Sequence, residues 1–95
     1  MHTLIVVDIT YDPAKDARNI RERQLSFARA SEFDFATALV EIDNRKEYGE
    51  VRYVALGLVG ERVHALVFTE TETGIRVISF RKANKREVRR HEQSR

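Results

Sequence analysis

The sequence has no cysteine. That excludes disulfides, thiol nucleophiles and thiolate metal sites. Histidine is scarce: His2, His64 and His91 are the three, and no two stand at metal-ligand spacing on one element. Ser26 and Ser79 lack an adjacent histidine–acid arrangement, which argues against a serine nucleophile. The few glycines form no phosphate-cradling loop after a strand; Gly57 and Gly60 sit around a hairpin instead. No apolar run approaches the roughly 20 residues of a membrane helix. The opening Met1-His2-Thr3-Leu4-Ile5-Val6-Val7 has no basic leader and no small-residue cleavage site, so no signal peptide and a cytosolic location are expected.

What is present is charge. Hydrophobic residues make up 42% and charged residues 34%, a globular composition with a heavily charged surface. The 95 residues leave room for one domain and one core. The charge is uneven. Residues 1–75 carry nine basic and 13 acidic side chains, whereas residues 76–95 carry eight basic and two acidic ones. The basic end is either a polyanion-binding surface or a solvated helix face.

Leu4–Ile9 is rich in β-branched residues and reads as a strand. Asp12-Pro13 is a helix start, a capping residue followed by a proline whose missing N–H goes unpaired there anyway. This helix is expected over about 13–23, with Ala14, Ala17 and Ile20 inward. Ser26 caps a second helix that turns Phe27, Ala30 and Phe33 inward. Strands are expected at 37–42, 51–59, 62–70 and 75–82, with a two-residue turn at Gly60-Glu61 and a longer loop at 71–74. Asn84 and Glu87 have capping-box spacing, which starts a last helix over about 85–92. Hairpin-joined strands with helices packed on them give an α+β fold with a mostly antiparallel sheet, two N-terminal helices and a C-terminal helix.

The two turns set a register. Arg52 falls opposite Thr69, and Thr69 opposite Arg76. Strand alternation then places Arg52, Thr69 and Arg76 in one row at the end of one face, the arginines ~10 Å apart, with Glu50 one pleat beyond Arg52. The same face is expected to carry Ile78, Phe80 and Lys82, and the other His64, Leu66, Phe68, Val77 and Arg81, with Arg81 opposite His64. The row is either a structural ion-pair cluster with Glu50 or a grip on an RNA phosphate by planar, bidentate donors. RNA supplies its own nucleophile, the 2′-hydroxyl. Arginines can stabilise the charge that develops on the phosphorane. A carboxylate such as Glu50 can accept the 2′-hydroxyl proton if its pKa is raised. That chemistry needs no metal or other cofactor and leaves a cyclic phosphate.

Three stretches carry a family resemblance. The first is Tyr11-Asp12-Pro13-Ala14-Lys15 with Asn19-Ile20 and Ser26-Phe27. The second is Tyr48-Gly49-Glu50-Val51-Arg52 with Leu56-Gly57. The third is Arg76-Val77-Ile78-Ser79-Phe80-Arg81-Lys82-Ala83 with Lys85-Arg86-Glu87. In this order the chain resembles the BrnT toxins of type II toxin–antitoxin systems. The resemblance implies a RelE-like fold forming a single toxin domain over 1–95 and a ribonuclease activity that halts translation. It also implies neutralisation by a DNA-binding BrnA antitoxin in a hetero-oligomer, with DNA met only through that complex.

By position the resemblance nominates Lys15, Asn19, Glu50, Arg52, Arg76, Ser79, Arg81 and Lys82. We assign Glu50, Arg52, Arg76 and Arg81 to the chemistry, and Lys15, Asn19, Lys82, Lys85 and Arg86 to RNA binding. Three departures stand out. The opening tryptophan is Tyr11, the Lys-His-Gly step is Glu22-Arg23-Gln24, and a tyrosine on the last helix is His91. Arg23 cannot act as a base at neutral pH. A non-catalytic basic module that binds RNA or protein is the alternative reading.

Overall fold

The computed structural model describes residues 8–95. A short strand β1 (Asp8–Thr10) is followed by helix α1 (Pro13–Arg23) and one stretch of 3₁₀ helix (Phe27–Glu32). Strands β2 (Leu39–Ile42), β3 (Tyr53–Val59), β4 (Arg62–Glu70) and β5 (Gly74–Lys82) come next, and helix α2 (Lys85–Gln93) closes the chain. The sheet order is β1-β5-β4-β3-β2. β1 runs parallel to β5 and the other pairs are antiparallel. The fold is α+β, as the hairpin pattern implies. The part of the expected first strand at Leu4–Val7 lies outside the described residues.

Local chemistry sets the boundaries. The Asp12 side chain accepts from the Ala14 N–H, and Pro13 opens α1. α1 ends at Gln24, which takes a left-handed φ of 53° and donates its N–H to the Ile20 carbonyl. Gly60 supplies the positive φ of the β3–β4 turn, 61°. Asn84 and Glu87 form the expected capping box: each side chain accepts from the other's backbone N–H.

The sheet has two covered faces. On the first, Leu25, Phe27, Ala30 and Phe33 pack on Ala55, Val59, Leu66, Phe68, Ile75, Val77 and Phe80. On the second, Leu56, Val63, Ala65 and Ala83 pack together with Val88 of α2. His91 of α2 is fully buried and its Nε2 lies 3.1 Å from the Thr37 carbonyl.

Three expectations are corrected. The helix after Ser26 is 3₁₀, although Phe27, Ala30 and Phe33 are buried as its pattern implies. α1 buries none of its residues, and Ile20 is 45% exposed. It docks through polar groups instead. Asp16 accepts from the Phe27 N–H (2.7 Å) and the Ser26 hydroxyl (3.1 Å), while Asn19 donates to the Leu25 and Phe80 carbonyls, both at 2.9 Å. The inward stripe is therefore Asp16 and Asn19, not Ala14, Ala17 and Ile20.

The third correction is in β5. Val67 pairs with Ser79 but Phe68 pairs with Val77, so Ile78 is the extra residue of a β-bulge. Beyond it the alternation inverts. Phe80 faces Leu66 on the first face, Arg81 pairs with Ala65 on the second, and Lys82, rather than Arg81, stands opposite His64.

Candidate functional site

Before the bulge, the expected register is present: Thr69 pairs with Arg76 and Glu70 with Ile75. Tyr53 pairs with Phe68 and stacks on it, at 5.5 Å between ring centroids, on the first face. Alternation therefore turns Arg52, immediately before β3, to the second face, which Thr69 and Arg76 share. Arg76 is exposed and makes no ion pair among the described residues.

Arg52 is held in place. Its Nε donates to a Glu50 carboxylate oxygen at 3.1 Å, and its guanidinium lies 4.0 Å from the centre of the Tyr48 ring. Tyr48 is fixed in turn, because its hydroxyl donates to Asp43 at 3.1 Å. Asp43 is the anchor of this loop. Its side chain is 1% exposed and also accepts from the Arg45 backbone N–H, Nε and Nη2 at 2.8–3.1 Å. The Arg45 guanidinium, with that backbone N–H and the Tyr48 hydroxyl, holds the Asp43 carboxyl well below the usual carboxylate range.

The sign of the pH effect follows. A depressed folded pKa contributes stability that is complete above the unfolded value of about 3.9 and is lost as pH falls below it. Asp43→Asn is therefore less stable than wild type at pH 7. In urea melts from pH 7 down to pH 2 that difference narrows below about pH 4. A constant gap would show that the carboxylate's ionisation contributes nothing.

Arg81 reaches the second face as a structural clamp. Its Nη1 and Nη2 donate to both oxygens of Glu87, at 2.8 and 2.9 Å, tying α2 to the sheet. That bidentate contact raises Arg81 above its usual pKa and lowers Glu87. Ser79 pairs with Val67 on the same face. Lys85 and Arg86 lie exposed on the first turn of α2, and Lys15 is exposed on α1. Asn19 has a structural task, with both of its donated bonds on backbone carbonyls. Of the nominated residues, Arg52 and Arg76 share an end of one face with Glu50 beside Arg52. Arg81 and the α2 cations lie on that face nearer its other end. Lys82 stands apart, on the first face.

Sequence reasoning missed a second feature. Glu22, Arg23, Gln24, Leu25, Arg29, His64 and Lys82 line a polar cleft. Arg23, at the position where the resemblance has histidine, thus shares a wall with a histidine from β4. The signal was hidden by the bulge, which moves Lys82 opposite His64.

Residues 11–87 match the family described as the ribonuclease toxin, BrnT, of type II toxin–antitoxin systems. The chain belongs to the BrnT family. The match spans all three stretches that carry the resemblance and the whole sheet from β2 to β5. A BrnT chain is a ribonuclease toxin at the level of its family and has an antitoxin partner by the logic of a type II pair. No curated protein matches the sequence. Among the described residues, no helix of this BrnT chain is long and apolar enough to cross a membrane.

Proposed function

We propose that this BrnT chain is a RelE-like, single-domain toxin of the cytoplasm. It cuts RNA without a metal ion, halts translation and is silenced by a BrnA-like antitoxin in a hetero-oligomeric complex. The observation that carries the RNA reading is Arg76, an exposed arginine without an ion-pair partner among the described residues, on the face to which Arg52 also turns. Guanidinium groups two strand spacings apart, ~10 Å, are placed to hold two different phosphates of one strand, each through planar, bidentate donors.

In this reading Arg76 and Arg52 grip RNA phosphates. Glu50 orients Arg52, and Arg81 holds α2 so that Lys85 and Arg86 extend the cationic surface. Lys15 and Lys82 add charge on the other side. The DNA of the operon is met through the antitoxin alone.

The test is cleavage of a defined single-stranded RNA by purified chain in EDTA, read on a denaturing gel, with the 3′ ends assayed for cyclic phosphate. Cleavage that persists in EDTA and disappears on adding antitoxin is the expected result. Intact RNA at every protein concentration would instead support the non-catalytic module. Arg76→Ala removes one charge-assisted contact worth about 1.5–3 kcal/mol, so uncleavable 2′-O-methyl RNA should bind about 10- to 100-fold more weakly. The slope of log K against log salt should become shallower by about 0.7. An unchanged slope removes Arg76 from the interface.

A further inference from the structure

The cleft between the end of α1 and the β4–β5 hairpin has an unusual resident. His64 is 5% exposed. Its Nδ1 lies 2.9 Å from the Arg62 carbonyl oxygen. A carbonyl only accepts, so Nδ1 carries the proton and the lone pair of the neutral ring is on Nε2. Among the described residues no buried side-chain nitrogen or oxygen lacks a partner, and none bonds His64 other than at Nδ1. Nε2 is therefore not sealed in: it opens on the cleft that His64 lines.

Around it are cations. Arg23 and Lys82 are exposed and unpaired among the described residues, and Lys82 is the cross-strand neighbour of His64. Arg29 also lines the cleft, its guanidinium shared with Glu32 at 3.0 Å; Glu22 is the one acid in the lining. The Phe80 ring, 5.5 Å away between centroids, backs the imidazole. Burial, helped by the charges of Arg29, Arg62 and Lys82, holds the ring below the usual histidine pKa. It is the neutral base at pH 7.

We propose that this cleft takes a phosphodiester of RNA, with Arg23 and Lys82 on the phosphate and His64 Nε2 accepting the proton of the adjoining 2′-hydroxyl. The inference rests on the ribonuclease reading and supplies it with a base. As the O2′–P bond forms, the P–O5′ bond breaks. The 2′-hydroxyl proton passes to Nε2, the leaving O5′ takes a proton from water, and the imidazolium returns its own to solvent. The products are a 2′,3′-cyclic phosphate and a 5′-hydroxyl. The arginine row lies on the other face and at the other end of the sheet, so Arg52 and Arg76 bind phosphates remote from the cut.

His64→Asn tests the step, because the shorter amide can still donate to the Arg62 carbonyl while no base remains at Nε2. Loss of a general base lowers the single-turnover cleavage rate ~10²–10⁴-fold, with binding of 2′-O-methyl RNA little changed. The wild-type rate should climb with pH to a plateau whose midpoint is below the usual histidine value, and the variant should lack that limb. Arg23→Ala/Lys82→Ala, a surface change that leaves the core intact, should weaken binding of the 2′-O-methyl RNA by about tenfold or more. The His64 ring resonances should shift as that RNA is added.

Wild-type cleavage matched by His64→Asn, with the same pH limb, overturns the role of His64 and leaves the ribonuclease reading standing. A wild-type chain that cuts no RNA overturns that reading and the step with it. Ring resonances that stay fixed overturn the cleft as a binding site.

Discussion

Phe80→Ala should remove a large share of the chain's stability. Phe80 is fully buried at the centre of the first-face core, facing Leu66 across the β4–β5 ladder and backing the His64 ring. A buried phenylalanine cut to alanine costs about 3–5 kcal/mol, against a total stability of about 5–15 kcal/mol for a small domain. At about 4–8 °C per kcal/mol, thermal melting followed by circular dichroism should fall by at least about 12 °C. The loss has two sources. The transfer energy of the ring is forfeited, and a cavity forms between the 3₁₀ segment and the bulge of β5, where backbone cannot collapse freely. A drop of only a few degrees would mean that the sheet closes over the gap.

Gly74→Ala should detach β1. A Cβ built on Gly74 would lie 1.9 Å from the Asp8 carbonyl oxygen and 2.7 Å from the Asp8 nitrogen. These are backbone atoms of the neighbouring strand, so no rotamer relieves the overlap. Among the described residues β1 is held by its parallel ladder to β5, by Ile9 packed on the first-face core and by a few further hydrogen bonds. Asp8 N–H donates to the Thr73 carbonyl (3.1 Å), the Thr73 hydroxyl to Asp8 (2.6 Å) and the Thr10 hydroxyl to the Ile75 carbonyl (3.4 Å). Overpacking of this kind costs about 1–3 kcal/mol. The ladder amides of β1 should lose their protection from hydrogen exchange while those of β4 keep theirs. Equal protection in both strands would show that Gly74 has room for a methyl.

The sequence made much of this fold readable because its turns are chemically explicit. Gly60-Glu61 and the 71–74 loop fix which residues of β3, β4 and β5 face one another, and the Thr69–Arg76 pairing follows from them. The Asn84–Glu87 capping box was legible for the same reason.

Two features left no such mark. The bulge at Ile78 falls in Val77-Ile78-Ser79-Phe80, where every residue suits a strand. Pattern alone therefore could not show that Phe80, Arg81 and Lys82 change sides. The docking of α1 was also opaque. Its alanines and Ile20 give the expected apolar stripe, yet Asp16 and Asn19 are the groups that find backbone partners. The second miss bears on the first. Asn19 bonds to the Phe80 carbonyl just past the bulge, so the two elements that hid the His64 cleft also build it.

α1 is attached to its neighbours by hydrogen bonds and by no buried side chain of its own. A helix fastened in this way gains little from the expulsion of water. Its hold is directional: it rests on the alignment of four bonds to the Ser26–Phe27 step, Leu25 and Phe80. Of the two walls of the cleft, the one that carries Arg23 should therefore be the first to lose its hydrogen-exchange protection, before the strands behind His64. The two sides of one cleft are thus built on different physics, oriented polar bonds on one and packed apolar side chains on the other.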